Sequence, residues 1–246
     1  MHTIHYSCIS CKRYAFCVET RFVDCRPREA YREGHVPGAV HADPETDLTG
    51  DDGGGRHPLP RADAFAAWAS AAGIGTGTLV VGYDDGAGWA SRLWWLLRHF
   101  GHDAAGVIPF GAWSGPLAAG EEETEPQTFT PQPRADDTAG AAEILERLGD
   151  ASLTLVDARA PERWRGETEP IDPVAGRIPG ARNRFFLDPS PLPAELVAAP
   201  DLVVYCGSGV TACAVVHELH LAGRTDARLY PGSFSEWYAV GPVERD

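Results

Sequence analysis

The sequence predicts an α/β chain built as two tandem copies of one domain, each a mostly parallel sheet flanked by helices. Three observations carry this. Short apolar, β-branched runs alternate with stretches of helical periodicity, as in parallel strands joined by crossover helices. The same motifs occur twice in the same order: Phe22-Val-Asp-Cys-Arg26 matches Leu155-Val-Asp-Ala-Arg159, and Gly34-His-Val-Pro-Gly-Ala39 matches Gly176-Arg-Ile-Pro-Gly-Ala181. Between the copies the chain turns acidic and rich in Pro, Thr and Gln, which marks an extended linker.

Taken in order, residues 1–20 show no periodicity and stay unassigned. Cys8-x-x-Cys11 could be half of a zinc site or a redox pair, but no second Cys/His pair lies at ligand spacing, and Cys17 adds none. The first copy spans 21–114. Arg21 to Arg26 reads as a strand, and Pro27 opens a helix at an allowed first-turn position. Residues 44–60, rich in Asp, Gly and Pro, read as a long surface excursion. Arg61 to Ala72 carries Phe65, Trp68 and Ala72 on one helical face. Leu79 to Tyr83 is a buried strand, Asp84 to Gly88 its loop, Trp89 to Phe100 an apolar helix and Val107-Ile108 a short strand. The linker covers 115–138, with Pro116, Pro126, Pro131 and Pro133. The second copy, 139–246, repeats the order: helix Ala139 to Leu148, strand Leu153 to Asp157, a helix from Pro161, a loop at Gly176 to Ala181, strand Leu202 to Tyr205, helix Val210 to Ala222 and strand Arg228 to Tyr230. Trp68, Trp94 and Trp95 are expected in the core, and Cys25 and Cys213 as packing thiols.

Composition narrows the function classes. The 246 residues suit two domains of ordinary size, and 43% hydrophobic content supplies real cores. Asp plus Glu number 35 against 21 Lys plus Arg, a net charge of −14. Such a chain has no general attraction for nucleic acid or an anionic membrane, so an anionic ligand must be held by a few arginines and backbone amides. No run of about 18 apolar residues predicts a membrane span. Lys12 and Arg13 precede no apolar stretch of signal-peptide type. Six cysteines do not form a disulfide framework, and a cytoplasmic location is expected.

The copies differ where it matters chemically. Tyr83-Asp84 aligns with Tyr205-Cys206, so the second copy has a cysteine where the first has a carboxylate. Cys206 stands on a strand-to-loop-to-helix corner, Cys206-Gly-Ser-Gly-Val-Thr-Ala212. Glycines let such a loop curl its N–H groups inward, and the following helix start adds positive partial charge. Both favour a thiolate, lowering a thiol pKa that is ordinarily about 8.5. Cys206 is the expected nucleophile, and catalysis is expected from the second copy alone.

These motifs, with Arg163-Trp-Arg-Gly166, Glu169-Pro170 and the tail Gly232-Ser-Phe-Ser-Glu-Trp-Tyr238, resemble the tandem rhodanese-domain sulfurtransferases. The loop is similar to that of 3-mercaptopyruvate members, since thiosulfate-preferring members usually carry basic residues after the cysteine. The resemblance implies that Cys206 takes sulfur from a small donor, 3-mercaptopyruvate or thiosulfate, as a persulfide. A thiol, cyanide or thioredoxin-like acceptor then removes it, with no metal and no organic cofactor. It implies that the amides of Gly207, Ser208, Gly209, Val210 and Thr211 hold the sulfur, and that Arg163 binds the donor's carboxylate or sulfonate. It implies that Ser208, His57 and Glu45 form a proton relay. One departure stands out. Mercaptopyruvate members usually place a second arginine nine residues after the first, where this chain has Asp172; Arg165, Arg177, Arg182 and Arg184 are candidate substitutes.

Three rival readings remain. A thiosulfate-preferring enzyme would share every feature except the neutral loop. A non-enzymatic sulfur carrier or interaction module would show no turnover with small donors, and the intact Cys206 loop and the retained Arg163 argue against it. A cysteine phosphatase needs a cationic fork six residues after the nucleophile, and that position is Ala212.

Overall fold

The computed structural model describes residues 19–246. Cys8, Cys11 and Cys17 lie outside the described residues. In the first copy the elements are β1 (Thr20–Asp24), α1 (Arg28–Glu33), β2 (Val40–His41), α2 (Ala62–Ala71), β3 (Leu79–Asp84), α3 (Trp89–His99) and β4 (Ala105–Pro109). The second has α4 (Ala141–Glu146), β5 (Thr154–Asp157), α5 (Pro161–Arg165), β6 (Arg182–Asn183), α6 (Ala194–Val197), β7 (Leu202–Tyr205), α7 (Ala212–Leu221), β8 (Arg228–Leu229) and α8 (Ser233–Val240). Each copy forms a four-stranded sheet, in the orders β2-β1-β3-β4 and β6-β5-β7-β8. All strand pairs within both sheets are parallel. In such sheets ligands collect at the carboxyl ends of the strands, and both the Asp84 and Cys206 loops leave from that end.

The repeated motifs do the same structural work twice. Asp24 and Asp157 end β1 and β5 and each grips the arginine two residues on, at 2.6 Å in both copies. Each arginine also donates to a glycine carbonyl at 2.7 Å, Gly34 from Arg26 and Gly176 from Arg159. The guanidinium of Arg26 lies 3.6 Å from the Phe110 ring and that of Arg159 lies 4.0 Å from Phe234. Tyr83 and Tyr205 each accept a backbone N–H at 3.1 Å, from Val36 and Ile178. A buried carboxylate is tolerated only when so paired, and these ion pairs tie each strand end to the Gly-x-(Ile/Val)-Pro-Gly-Ala loop.

Residues 115–138 have little regular structure but are not free of the first copy. Ala118 exchanges two backbone bonds with His35 at 2.9 Å, and Gln132 donates to the Phe100 carbonyl at 2.9 Å. Phe129 is buried against Phe65. The segment is therefore a strap along the first copy.

One of the apolar clusters runs through both copies. α3 packs against α7, and a single apolar cluster includes Trp94, Leu97 and Phe100 from one with Cys213, Val216 and Leu219 from the other. Trp94 and Trp95 are buried there as expected, and Trp68 packs on its edge. α7 starts at Ala212, two residues later than the apolar pattern suggests. Cys213 and Ala214 donate to Val210 and Thr211, so that stretch is a tighter turn before the helix proper.

Candidate active site

Cys206 sits directly after β7, only 2% exposed. Its backbone N–H donates to Ser233 Oγ at 3.1 Å, and Ser233 Oγ donates to the Tyr230 carbonyl at 2.9 Å. Ser233 holds this place at φ 53°, a left-handed conformation rare for serine. The loop curls as its glycines suggest. Gly209 adopts φ 82° and turns its N–H onto Cys206 Sγ at 3.1 Å. A negative sulfur is stabilised by such a donor. Val210 and Thr211 complete the turn without a bond to the sulfur among the described residues.

Asp84 occupies the equivalent corner of the first copy. Its carboxylate accepts the N–H groups of Gly86 at 2.9 Å and Ala90 at 3.0 Å. The anion-holding loop is thus filled by a side chain that cannot accept sulfur. The remaining described thiols differ as well. Burial raises Cys25 far above the usual thiol range, and burial pushes Cys213 up to about 12. The Cys213 thiol donates to the Gly209 carbonyl at 3.2 Å and supports the loop from below.

The first copy contributes the long loop between β2 and α2. His57 Nδ1 lies 2.7 Å from Ser208 Oγ, and His57 Nε2 lies 3.6 Å from Glu45 Oε1. Ser208, His57 and Glu45 are therefore brought side by side, the three residues that the resemblance implies for a relay. Their environments differ: Ser208 is buried, whereas the Glu45 side chain is 68% exposed. At 3.6 Å the Glu45 contact is an ion-pair distance rather than a hydrogen bond. Trp89 packs edge-on to the imidazole at 5.2 Å. Burial lowers the His57 pKa below the usual histidine value; Glu45 opposes this, while Arg92 and Arg56 reinforce it.

Arg163, on α5, reaches the loop as expected. Its Nε and Nη2 donate to Glu169 at 3.0 and 2.6 Å, and its Nη1 stays open toward Gly207. The candidate substitutes for a second arginine are engaged elsewhere. Arg165 pairs with Glu167, Arg177 with Glu244 and Asp246, and Arg184 with Glu218. Arg182 is exposed on β6. The guanidinium that does arrive is Arg56, from the first copy, paired with Asp172.

Sequence reasoning also missed Arg92, which is fully buried on α3. It donates to the carbonyls of His57 at 3.0 Å, Pro58 at 3.2 Å, and Leu48 and Gly209 at 3.4 Å. One side chain thus joins the His57 loop to the Cys206 loop. Burial lowers its pKa, and the carbonyls replace the water it has lost. An arginine inside the apolar pattern of Trp89 to Phe100 was the visible signal. No group of three or more His, Cys, Asp or Glu side chains placed to hold a metal occurs among the described residues. Likewise, no described helix is long and apolar enough to cross a membrane.

Comparison with known proteins agrees with this architecture. The rhodanese-like domain family matches residues 12–111 and again 140–240. A probable 3-mercaptopyruvate sulfurtransferase of Pseudomonas aeruginosa is 43% identical over 233 residues, covering 84% of this chain and 82% of the relative. A putative thiosulfate sulfurtransferase of Mycobacterium tuberculosis, SseB, is 35% identical over 240 residues, covering 85% and 81%. Among solved structures, the 3-mercaptopyruvate sulfurtransferase SseA of Escherichia coli superposes with a TM-score of 0.73 at 25% identity, covering 88% of this chain and 93% of SseA. Two family matches, two parallel sheets and relatives of this kind lead to one conclusion: the chain belongs to the rhodanese family, as a tandem-domain sulfurtransferase.

Proposed function

We propose that the enzyme moves the sulfur of 3-mercaptopyruvate through a Cys206 persulfide to a thiol acceptor, with 139–246 as the catalytic copy and 21–114 as the non-catalytic one. The observation that carries this is the pairing at one corner of Cys206, under the Gly209 N–H, with Ser208 bonded to His57. In the first half-reaction the Cys206 thiolate attacks the donor sulfur. The donor C–S bond breaks and its electron pair stays on carbon as the pyruvate enolate. A proton delivered to that carbon gives pyruvate. In the second half-reaction the acceptor thiolate attacks the outer sulfur, the S–S bond breaks and its pair returns to Cys206.

The Gly209 N–H facing the sulfur acts in both halves, because negative charge resides there before and after transfer. With Nε2–H directed at Glu45, His57 Nδ1 is free to accept the Ser208 proton. The hydroxyl can then pass a proton to or from the enolate. Arg163 meets the donor's carboxylate. Cyanide can replace the thiol acceptor, giving thiocyanate, and a thioredoxin-like dithiol can reduce the persulfide. Because Cys206 must stay reduced, the reaction suits a reducing compartment such as the cytoplasm.

Thiosulfate as donor is the second reading, favoured by the arginines beside Gly207, which suit a sulfonate as well. Two features favour mercaptopyruvate over thiosulfate: the neutral Gly207-Ser208 loop, and the Ser208–His57 pair, which has a proton to move for an enolate and none for sulfite. The test compares pyruvate release from 3-mercaptopyruvate with thiocyanate formation from thiosulfate and cyanide, for wild type and Cys206→Ser. We expect pyruvate release to dominate and Cys206→Ser to abolish both. Activity retained in Cys206→Ser would end the persulfide mechanism.

A further inference from the structure

We propose that Arg56, delivered by the silent copy, is the second donor-binding guanidinium: its Nη2 and the Nη1 of Arg163 clamp the donor's carboxylate or sulfonate above Gly207. This rests on the sulfurtransferase reading of the Cys206 loop. Gly207 stands immediately after Cys206. A β-carbon on Gly207 would lie 2.8 Å from Arg56 Nη2, 3.4 Å from Arg163 Nη2 and 3.5 Å from Arg163 Nη1. Two cations from different copies therefore converge on the space left by one missing side chain. The absence of a Cβ is what admits them.

Both forks are anchored by carboxylates. Arg56 Nη1 pairs with Asp172, and Arg163 Nε and Nη2 pair with Glu169. Both carboxylates are almost fully buried, so the anchors are fixed. Arg56 Nη2 and Arg163 Nη1 make no hydrogen bond among the described residues. Planar guanidiniums with one edge secured and the other facing a nucleophile suit a two-oxygen anion.

Arg56 is also held through its backbone. Its N–H donates to Ser235 Oγ at 3.0 Å, and the Ser235 N–H donates to the Gly207 carbonyl at 2.9 Å. The position of Arg56 is thus coupled to the loop it serves. Asp172 takes on a role in this arrangement. It stands where an arginine of the same copy was expected, and it holds an arginine supplied by the other copy. Asp172 Oδ2, which has no hydrogen-bond partner, lies 3.5 Å from Arg163 Nη2 and sets the two forks against each other.

Two measurements test this independently of each other. The first is calorimetric titration of pyruvate and of sulfite into Cys206→Ser and into Cys206→Ser/Arg56→Gln, which reads anion binding without turnover. We expect the Arg56 change to weaken binding by about 10- to 100-fold, the range for a lost charged hydrogen bond. The second is steady-state kinetics of Arg56→Gln with 3-mercaptopyruvate and with its methyl ester. We expect KM for the acid to rise by about 10- to 100-fold with kcat within about threefold, and the ester to be unaffected. Arg56→Lys keeps the charge without the fork and is expected to fall between. Unchanged binding of both anions, or an equal loss for acid and ester, overturns the proposal. Should wild type turn over neither donor, the donor reading of the site fails, and the calorimetry still decides the role of Arg56.

Discussion

His57 shows how much a single side chain depends on the surroundings the fold gives it. Its imidazole lies between a buried hydroxyl and an exposed carboxylate, and burial is the largest influence on its charge. The sign follows directly. Burial lowers the pKa, so the neutral form that can accept the Ser208 proton persists below the usual histidine range. Pyruvate release is therefore expected to hold its rate as pH falls through 6.5, the ordinary histidine value, and to decline only below it. His57→Gln is expected to lower kcat by about 100-fold or more, as for loss of a general base, and to remove that acid limb. Glu45→Gln is expected to cost less than about fivefold, because solvent screens an exposed pair. Rate profiles from pH 4 to 8 for the three proteins check this; an acid limb unchanged in His57→Gln would take His57 out of the relay. At this scale the gathering of Cys206, Ser208, Arg163 and His57 around one loop was legible, because each lies in or beside a short motif. Arg56 adjoins His57 and was passed over, because its use depends on Asp172 and Gly207, which are distant in sequence.

Among the elements, the loop from Cys206 to Thr211 depends most on one backbone conformation. Gly209 stands at φ 82°, and a β-carbon there would come within 2.5 Å of the Pro231 carbonyl oxygen. Gly209→Ala must relieve both the strain and the clash, and either adjustment moves the N–H away from Cys206 Sγ. We expect a stability loss of about 1–3 kcal/mol, the range for a strained backbone position, and a larger proportional fall in kcat than in donor affinity. Thermal unfolding combined with kinetics checks it; native activity in a destabilised Gly209→Ala would mean that this N–H does no catalytic work. Strands and long helices were legible because their apolar periods are strong. The onset of α7 was not, since apolar pattern alone cannot separate a tight turn at Val210–Thr211 from a first helical turn. The strap of 115–138 read as a linker because its anchors are backbone bonds and one buried side chain, Phe129, which composition does not reveal.

The whole molecule depends on the contact between copies. The repeat was visible in the sequence, but the orientation of one copy on the other was not, and that orientation delivers His57, Arg56 and Arg92 to the Cys206 loop. The same contact is expected to make stability depend on pH. His217 on α7 packs 4.6 Å from Trp94 of α3, with His220 at 5.3 Å from the same ring. Burial first, then the charges of His220 and Arg98, push His217 down to about 4. Unfolded, it titrates near 6.5. Between these values the unfolded chain binds more protons, so stability falls as pH falls through that window and is fully present above it. The pKa gap sets a ceiling of about 3 kcal/mol, and screening of a partly exposed ring reduces it to about 1–2 kcal/mol. Denaturant unfolding at pH 7 and pH 4.5 should show wild type losing about 1–2 kcal/mol more than His217→Gln. Equal losses in the two proteins would place the acid sensitivity elsewhere. Because α7 begins at the Cys206 loop and α3 carries Arg92, acid that loosens this contact is expected to weaken the Arg92 bridge to Gly209 before either sheet unfolds.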